Sequence, residues 1–154
     1  MIIIRRFKKD EGEALLEVFL SSVRNIASRD YNPEQIRAWI PGTPESVQQL
    51  IRHINVLSPF VAEVNHRIIG YADLQNNGLI DHFYVSGGYV RQGVGSRLMA
   101  EIEKEARNSG LHELTSFVSL TAEPFFLHHG FRIVRRCFPV RHGVMLPNAL
   151  MRKV

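Results

Sequence analysis

Disulfide chemistry is missing from this chain. Cys137 is its one cysteine in 154 residues, so no internal bridge can staple it, and the composition fits a reducing cytoplasm. No apolar run approaches the roughly 20 residues that a membrane helix needs. The opening MIIIRRF puts its apolar residues before its cations, with no longer apolar stretch behind. That order argues against a secretory signal and for a first strand. A large surplus of one charge is also missing: Lys+Arg 19 against Asp+Glu 15 gives a net +4. Such an excess suits an anionic small ligand as readily as a nucleic acid. Arg132, Arg135, Arg136 and Arg141 are spread like a solvated surface, with no aromatic–basic recognition motif. Neither nucleic acid nor membrane is expected as a partner. No G-x-S-x-G or local Cys-His signature marks a hydrolase, and no H-E-x-x-H or C-x-x-C marks a metal site. His128 and His129 are adjacent on an expected helix, so they share no face and chelate poorly. Cys137 has no activating partner in the sequence and reads as a strand thiol.

What is there alternates between two periods. Residues 2–7 read as a strand. Residues 10–28 read as a helix, with Ala14, Leu15, Val18, Phe19, Ser22 and Ile26 at helical spacing and a capping box of Asp10 and Glu13. Asn32 followed by Pro33 predicts a short helix over 33–39, ended by Pro41-Gly42. Thr43-Pro44 opens a third helix to about residue 55. From Pro59 the texture becomes that of strands: PFVAEV, RIIGYADLQ and GLIDHFYV, separated by the turns Asn65-His66 and Asn76-Asn77-Gly78. A helix over 94–108 follows, stopped by Gly110. ELTSFVS is a strand and TAEPFFLHH a short helix. FRIVRRCF and VMLPNALMRK are each expected as one continuous strand. With no repeat and no linker, the chain reads as one α/β domain (mixed α+β) over residues 1–154. It is expected to have a mostly antiparallel mixed sheet of six to seven strands with helices on both faces.

The stretch RQGVGS, residues 91–96, sits where the last strand of the meander hands over to the 94–108 helix. A helix N-terminus leaves amide N–H groups unpaired and carries partial positive charge. Glycines let those amides approach phosphate oxygens, and Arg91 and Arg97 add charge. The same glycines also suit a tight strand-to-helix turn packed closely, and the loop alone does not choose between the two. It is neither G-x-x-x-x-G-K-[ST] nor G-x-G-x-x-G, so P-loop NTPases and dinucleotide folds are set aside.

Two longer stretches carry a resemblance. IDHFYVSGGYVRQGVGSRLMAEIEKEA resembles motif A of the GNAT superfamily of acyl-CoA-dependent N-acetyltransferases, and LTSFVSLTAEPFFLHHGFRIV resembles its motif B. The order of elements is similar to that family over essentially the whole chain. SRDYNPEQIRAWIPG and VRHGVMLPNALMRK are similar to a bacterial subgroup labelled YafP-like. The resemblance implies acetyl-CoA as co-substrate, no metal, and a splayed parallel strand pair forming the acyl-CoA cleft. It implies that the backbones of Phe83, Tyr84 and Val85 bind pantetheine. The loop Val90, Arg91, Gln92, Gly93, Val94, Gly95 and Ser96 would hold the pyrophosphate. Val90 departs from the Gln or Arg usual at the first loop position. Ser119 stands where many members have a cofactor-contacting asparagine.

The implied reaction is direct attack of an amine of a small molecule or peptide on the thioester. Phe126 falls where the family usually has a tyrosine acid, and it has no proton to give. The catalytic candidates are therefore His82 as proton acceptor, Tyr84 as proton donor to the thiolate, and Ser119 as the remaining hydroxyl. Asp81 and His82 in mid-strand should point to opposite faces unless a bulge intervenes. Tyr31, Trp39 and Asp30 would wall an acceptor site built from residues 25–55 and 135–147. The competing reading is a CoA-binding module with weak or no catalysis, acting through a protein partner. The last strands, around 138–146, could pair across a homodimer.

Overall fold

A computed structural model describes residues 1–154. Strands β1 (Ile3–Arg6), β2 (Phe60–Val64), β3 (Arg67–Ala72) and β4 (Phe83–Val85) form one antiparallel sheet in that order. Strands β5 (Leu114–Ser119) and β6 (Arg132–Cys137) flank β9 (Asn148–Lys153) in a second antiparallel sheet, ordered β5-β9-β6. A small hairpin of β7 (Val140–Arg141) and β8 (Val144–Met145) stands between β6 and β9 in sequence. The helices are α1 (Gly12–Asn25), α2 (Pro33–Trp39), α3 (Pro44–Leu57), α4 (Val94–Asn108) and α5 (Glu123–His128). The mixed α/β architecture and its seven sheet strands match the expectation. They lie in two sheets rather than one.

The first sheet is buried on both faces, and its strand alternation assigns each residue a side. Phe60 and Ala62 of β2 join α4 and the second sheet in the larger core, around Leu98, Met99, Ile102 and Met151. Val61 of β2 and Tyr71 of β3 point the other way, into a core with Leu15, Val18, Phe19 and Val23 of α1 and Ile54 of α3. Helix α2 starts as its sequence demands: Asn32 Oδ1 accepts from Gln35 N at 2.8 Å, with Pro33 in the first turn. Thr43 caps α3 likewise through Ser46 N.

Three boundaries depart from the sequence reading. The box at Asp10 and Glu13 is not used. Glu11 instead accepts from Lys8 N (2.8 Å) and pairs with Arg5, and a 3-10 turn, Lys9–Glu11, precedes α1. The strand expected over 78–85 is regular only at Phe83–Val85. The buried Asp73 carboxylate takes the amides of Asp81 (2.9 Å) and His82 (2.6 Å), so those donors bond a side chain and the ladder is interrupted there. The strand expected over 144–153 breaks at Pro147, which has no N–H to give a ladder.

The two sheets are joined by backbone hydrogen bonds only at one end. Leu79 and Thr115 form an isolated parallel bridge, with Ile80 N to Thr115 O at 2.8 Å and Thr115 N to Gly78 O at 3.0 Å. Beyond it β4 and β5 are not hydrogen-bonded to each other. This is the splayed parallel pair, and the site lies in the gap.

Candidate active site

The loop before α4 is fixed from below. Ser21 Oγ of α1 accepts from Gly87 N (2.9 Å) and lies 3.2 Å from Ser86 Oγ. Arg91 and Gly93 then take positive φ, 61° and 83°. The first helical bond of α4 runs from Arg97 N to Gly93 O (3.0 Å), so the amides of Val94, Gly95 and Ser96 have no helical acceptor. The two glycines serve different ends. A Cβ on Gly93 would meet nothing within 4 Å, so its glycine answers to backbone conformation. A Cβ on Gly95 would lie 3.0 Å from the Phe125 ring, so its glycine answers to packing against α5. The close-packing account of the loop therefore holds for Gly95 and not for Gly93.

A cavity of about 310 Å³ opens between β4, β5 and this loop. Phe83, Tyr84, Val85, Val90, Arg91, Gly93, Val94, Gly95, Ser96, Ser119 and Phe126 all line it. Gln92 does not: its side-chain amide turns back to Gly88 O at 3.3 Å. Thr121, which no motif singles out, also lines it and has a buried Oγ with no hydrogen-bond partner. Ser96 Oγ lies 3.3 Å from His129 Nε2, so His129 stands beside the loop. Burial holds the His129 imidazole below its ordinary pKa.

A second cavity, about 920 Å³, lies on the far side of the gap, between α2 and α3 on one hand and the β7–β8 hairpin on the other. The two share Trp39, Phe83, Tyr84, Ser119, Ala122 and Phe126. Tyr31 and Trp39 meet edge to face at 5.1 Å and both line this second space, whereas Asp30 does not. The hairpin is held by Gln35 Nε2 donating to Met145 O (3.0 Å) and by Tyr31 Oη donating to Pro147 O.

Of the catalytic candidates, Ser119 and Tyr84 stand where the cavities meet. Burial raises the Tyr84 phenol above its ordinary range, Asp81 adds to this, and Trp39 and Arg141 oppose it. His82 and Asp81 both line the larger cavity, which strict alternation would forbid. Residues 80–82 lie outside any strand, so the alternation lapses. His82 is buried, and its Nδ1 lies 2.9 Å from Tyr71 Oη. Burial pulls its pKa down to about 4, with Asp81 raising it and His53 and Arg141 lowering it. As a proton acceptor near neutrality His82 is therefore weaker than its residue type suggests. His53 of α3 was not singled out from sequence. Its Nε2 lies 2.7 Å from Asp81 Oδ2. One donor atom from each of His53, Asp81 and His82 falls within 4.8 Å of the others, a set chemically able to hold a divalent cation. Phe126 is buried against Phe83, Phe125 and Phe131 at centroid distances of 5.5, 5.7 and 5.0 Å.

A strand pair joined at one end thus opens onto a helix N-terminus with free amides. Residues 27–149 match the model of the acetyltransferase (GNAT) domain, and the chain belongs to that family. It is 30% identical over 151 residues to a protein of Escherichia coli K12 described as uncharacterized N-acetyltransferase YafP, covering 98% of this chain and 95% of that one. A GCN5-related N-acetyltransferase from Rhodopseudomonas palustris, also described as a class-II aminotransferase, superposes with a TM-score of 0.91. It is 26% identical and the match covers 98% of this chain and 94% of that one. YncA of Salmonella typhimurium, solved with its cofactor acetyl-CoA, shares the fold at a TM-score of 0.67 and 21% identity, over 99% and 92% of the two chains.

Proposed function

We propose that the protein transfers an acetyl group from acetyl-CoA to a primary amine of a small molecule or peptide, by direct attack of the amine on the thioester. The observation that carries this reading is the meeting of two cavities at Tyr84 and Ser119. One runs to the free amides of α4; the other is larger and walled by aromatic and ionisable side chains. Pyrophosphate oxygens accept from the amides of Gly93 to Ser96, with Arg91 adding charge. The pantetheine arm lies along β4, whose far edge has no strand partner. Phe83 and Phe126 supply the apolar wall around the thioester.

With phenylalanine at 126, the leaving thiolate needs another partner. A phenol raised above its ordinary range keeps its proton at neutral pH, so Tyr84 donates a hydrogen bond to the sulfur while full transfer to a thiolate is uphill. The thiolate is then protonated from solvent. Phe126 also favours a second reading, a CoA-binding module with weak or no turnover.

Calorimetric titration with acetyl-CoA, followed by CoA release with a mixed amine panel, tests both. Binding and amine-dependent release are expected. Gly93→Glu, which puts a carboxylate among the pyrophosphate donors, should abolish binding while the protein still melts cooperatively. Unchanged affinity in that variant would sink the site. Binding without release across the panel would favour the module.

A further inference from the structure

We propose that His53 is the base that takes the acceptor's proton and that Asp81 is its positioning residue, a role that rests on the larger cavity being the acceptor site. The pair stands in that cavity's wall, and the ring of His53 lies 5.4 Å from that of His82, which lies 5.3 Å from that of Tyr84. A short series of rings thus leads from the pair to the junction where the thioester is placed.

The geometry fixes the tautomer. A carboxylate only accepts, so the 2.7 Å contact is Nε2–H donating to Asp81 Oδ2, and Nδ1 keeps the lone pair. Both side chains are partly exposed, so an amine entering by the cavity can reach them. His82 is the poorer choice. Its Nδ1 is taken up by Tyr71 and its ring is buried among Phe19, Tyr71 and Tyr84. It remains neutral and so does not repel an incoming ammonium.

The step balances. An alkylammonium gives one proton to His53 Nδ1, and the imidazolium formed stays against the Asp81 carboxylate. The freed lone pair attacks the thioester carbon, the C–N bond forms, and the C–S bond breaks as the tetrahedral intermediate collapses. The nitrogen's second proton is lost to solvent, solvent protonates the thiolate to CoA–SH, and His53 returns its proton to solvent. The charged and titratable groups that line the cavity with His53 are Tyr31 ahead of α2, Asp81 and His82 from the β3–β4 connection, Tyr84 from β4, and Arg141 and His142 from the hairpin. Among them Asp81 is the one carboxylate.

The test is kcat and KM for the amine in wild type, His53→Ala and Asp81→Asn, with acetyl-CoA affinity measured alongside. His53→Ala should lose about 10²- to 10⁴-fold in kcat, the range of general-base catalysis, with acetyl-CoA affinity unchanged and activity partly restored by added imidazole. Asp81→Asn removes the carboxylate that orients the ring, so kcat should fall while KM for the amine changes little. A His53→Ala enzyme with wild-type kcat overturns the pair and leaves the acetyltransferase reading standing. Lost activity that imidazole does not restore, with KM rather than kcat changed in Asp81→Asn, also overturns it. A wild-type protein that releases no CoA with any amine overturns the reading and the pair together.

Discussion

His82 shows how one buried side chain couples the active-site region to stability. Its imidazole titrates near 6.5 when unfolded and near 4 in the fold, because burial disfavours its charge. Between those values the unfolded chain binds a proton that the folded chain refuses. Stability is therefore lost as pH falls from 6.5 toward 4. Asp73 works in the opposite sense. Burial raises its carboxyl, so the fold takes up a proton before the unfolded chain does and gains stability as pH falls. Urea midpoints of wild type should drop more steeply over that range than those of His82→Phe, which keeps an aromatic ring but cannot be protonated. Parallel curves would mean that His82 is not held neutral by the fold. The cleft's loop and strand residues were legible because their pattern is local in sequence. His53 was not, because it lies 28 residues from Asp81 and sits on an amphipathic helix where a histidine reads as surface.

Helix and turn elements were read well where a cap or turn residue marks them. Pro33 after Asn32, Pro44 after Thr43 and Gly110 after α4 all act as their local chemistry dictates. The interrupted strand at 78–82 has a non-local cause: no pattern within those residues shows that Asp73 takes two of their amides. The break before β9 is local, because Pro147 has no N–H to give the ladder. The element with most bearing on the acceptor cavity is the β7–β8 hairpin, and Tyr31 is its anchor. The Tyr31 hydroxyl accepts from Leu120 N (3.0 Å) and donates to Pro147 O, tying the start of α2, the end of β5 and the approach to β9. Tyr31→Phe leaves a part-buried donor and a part-buried acceptor unpaired, a cost of up to about 1–3 kcal/mol. Urea denaturation should show that loss, and amide exchange should quicken across 140–147. Unchanged exchange there would separate the hairpin from Tyr31.

At the scale of the molecule, the cleft depends on where the sheets are joined. Gly78 sits at that join with φ +88°, and a Cβ there would clash with the backbone oxygen of Glu113. Gly78→Ala should cost more than about 1 kcal/mol, the loss expected where the backbone cannot take the new residue, and should weaken acetyl-CoA binding by displacing β5 from β4. A variant of wild-type stability and affinity would show that the bridge at Leu79 and Thr115 does not set the gap. The arrangement also has a consequence for how the protein behaves in a crowd of its own copies. Two sheets have four edges, and each edge is a template on which another chain can grow a strand. Here the inner edges of β4 and β5 face each other across a narrow gap, out of reach of a foreign strand. The outer edges are β1, whose Arg5 and Arg6 are paired with Glu11, Glu63 and Glu105, and β6, with Arg132, Arg135 and Arg136, the last paired with Glu123. The separation that makes room for a cofactor thus leaves charged residues on both outer edges, and on β6 the like charge of Arg132 and Arg135 opposes pairing with a second copy of itself.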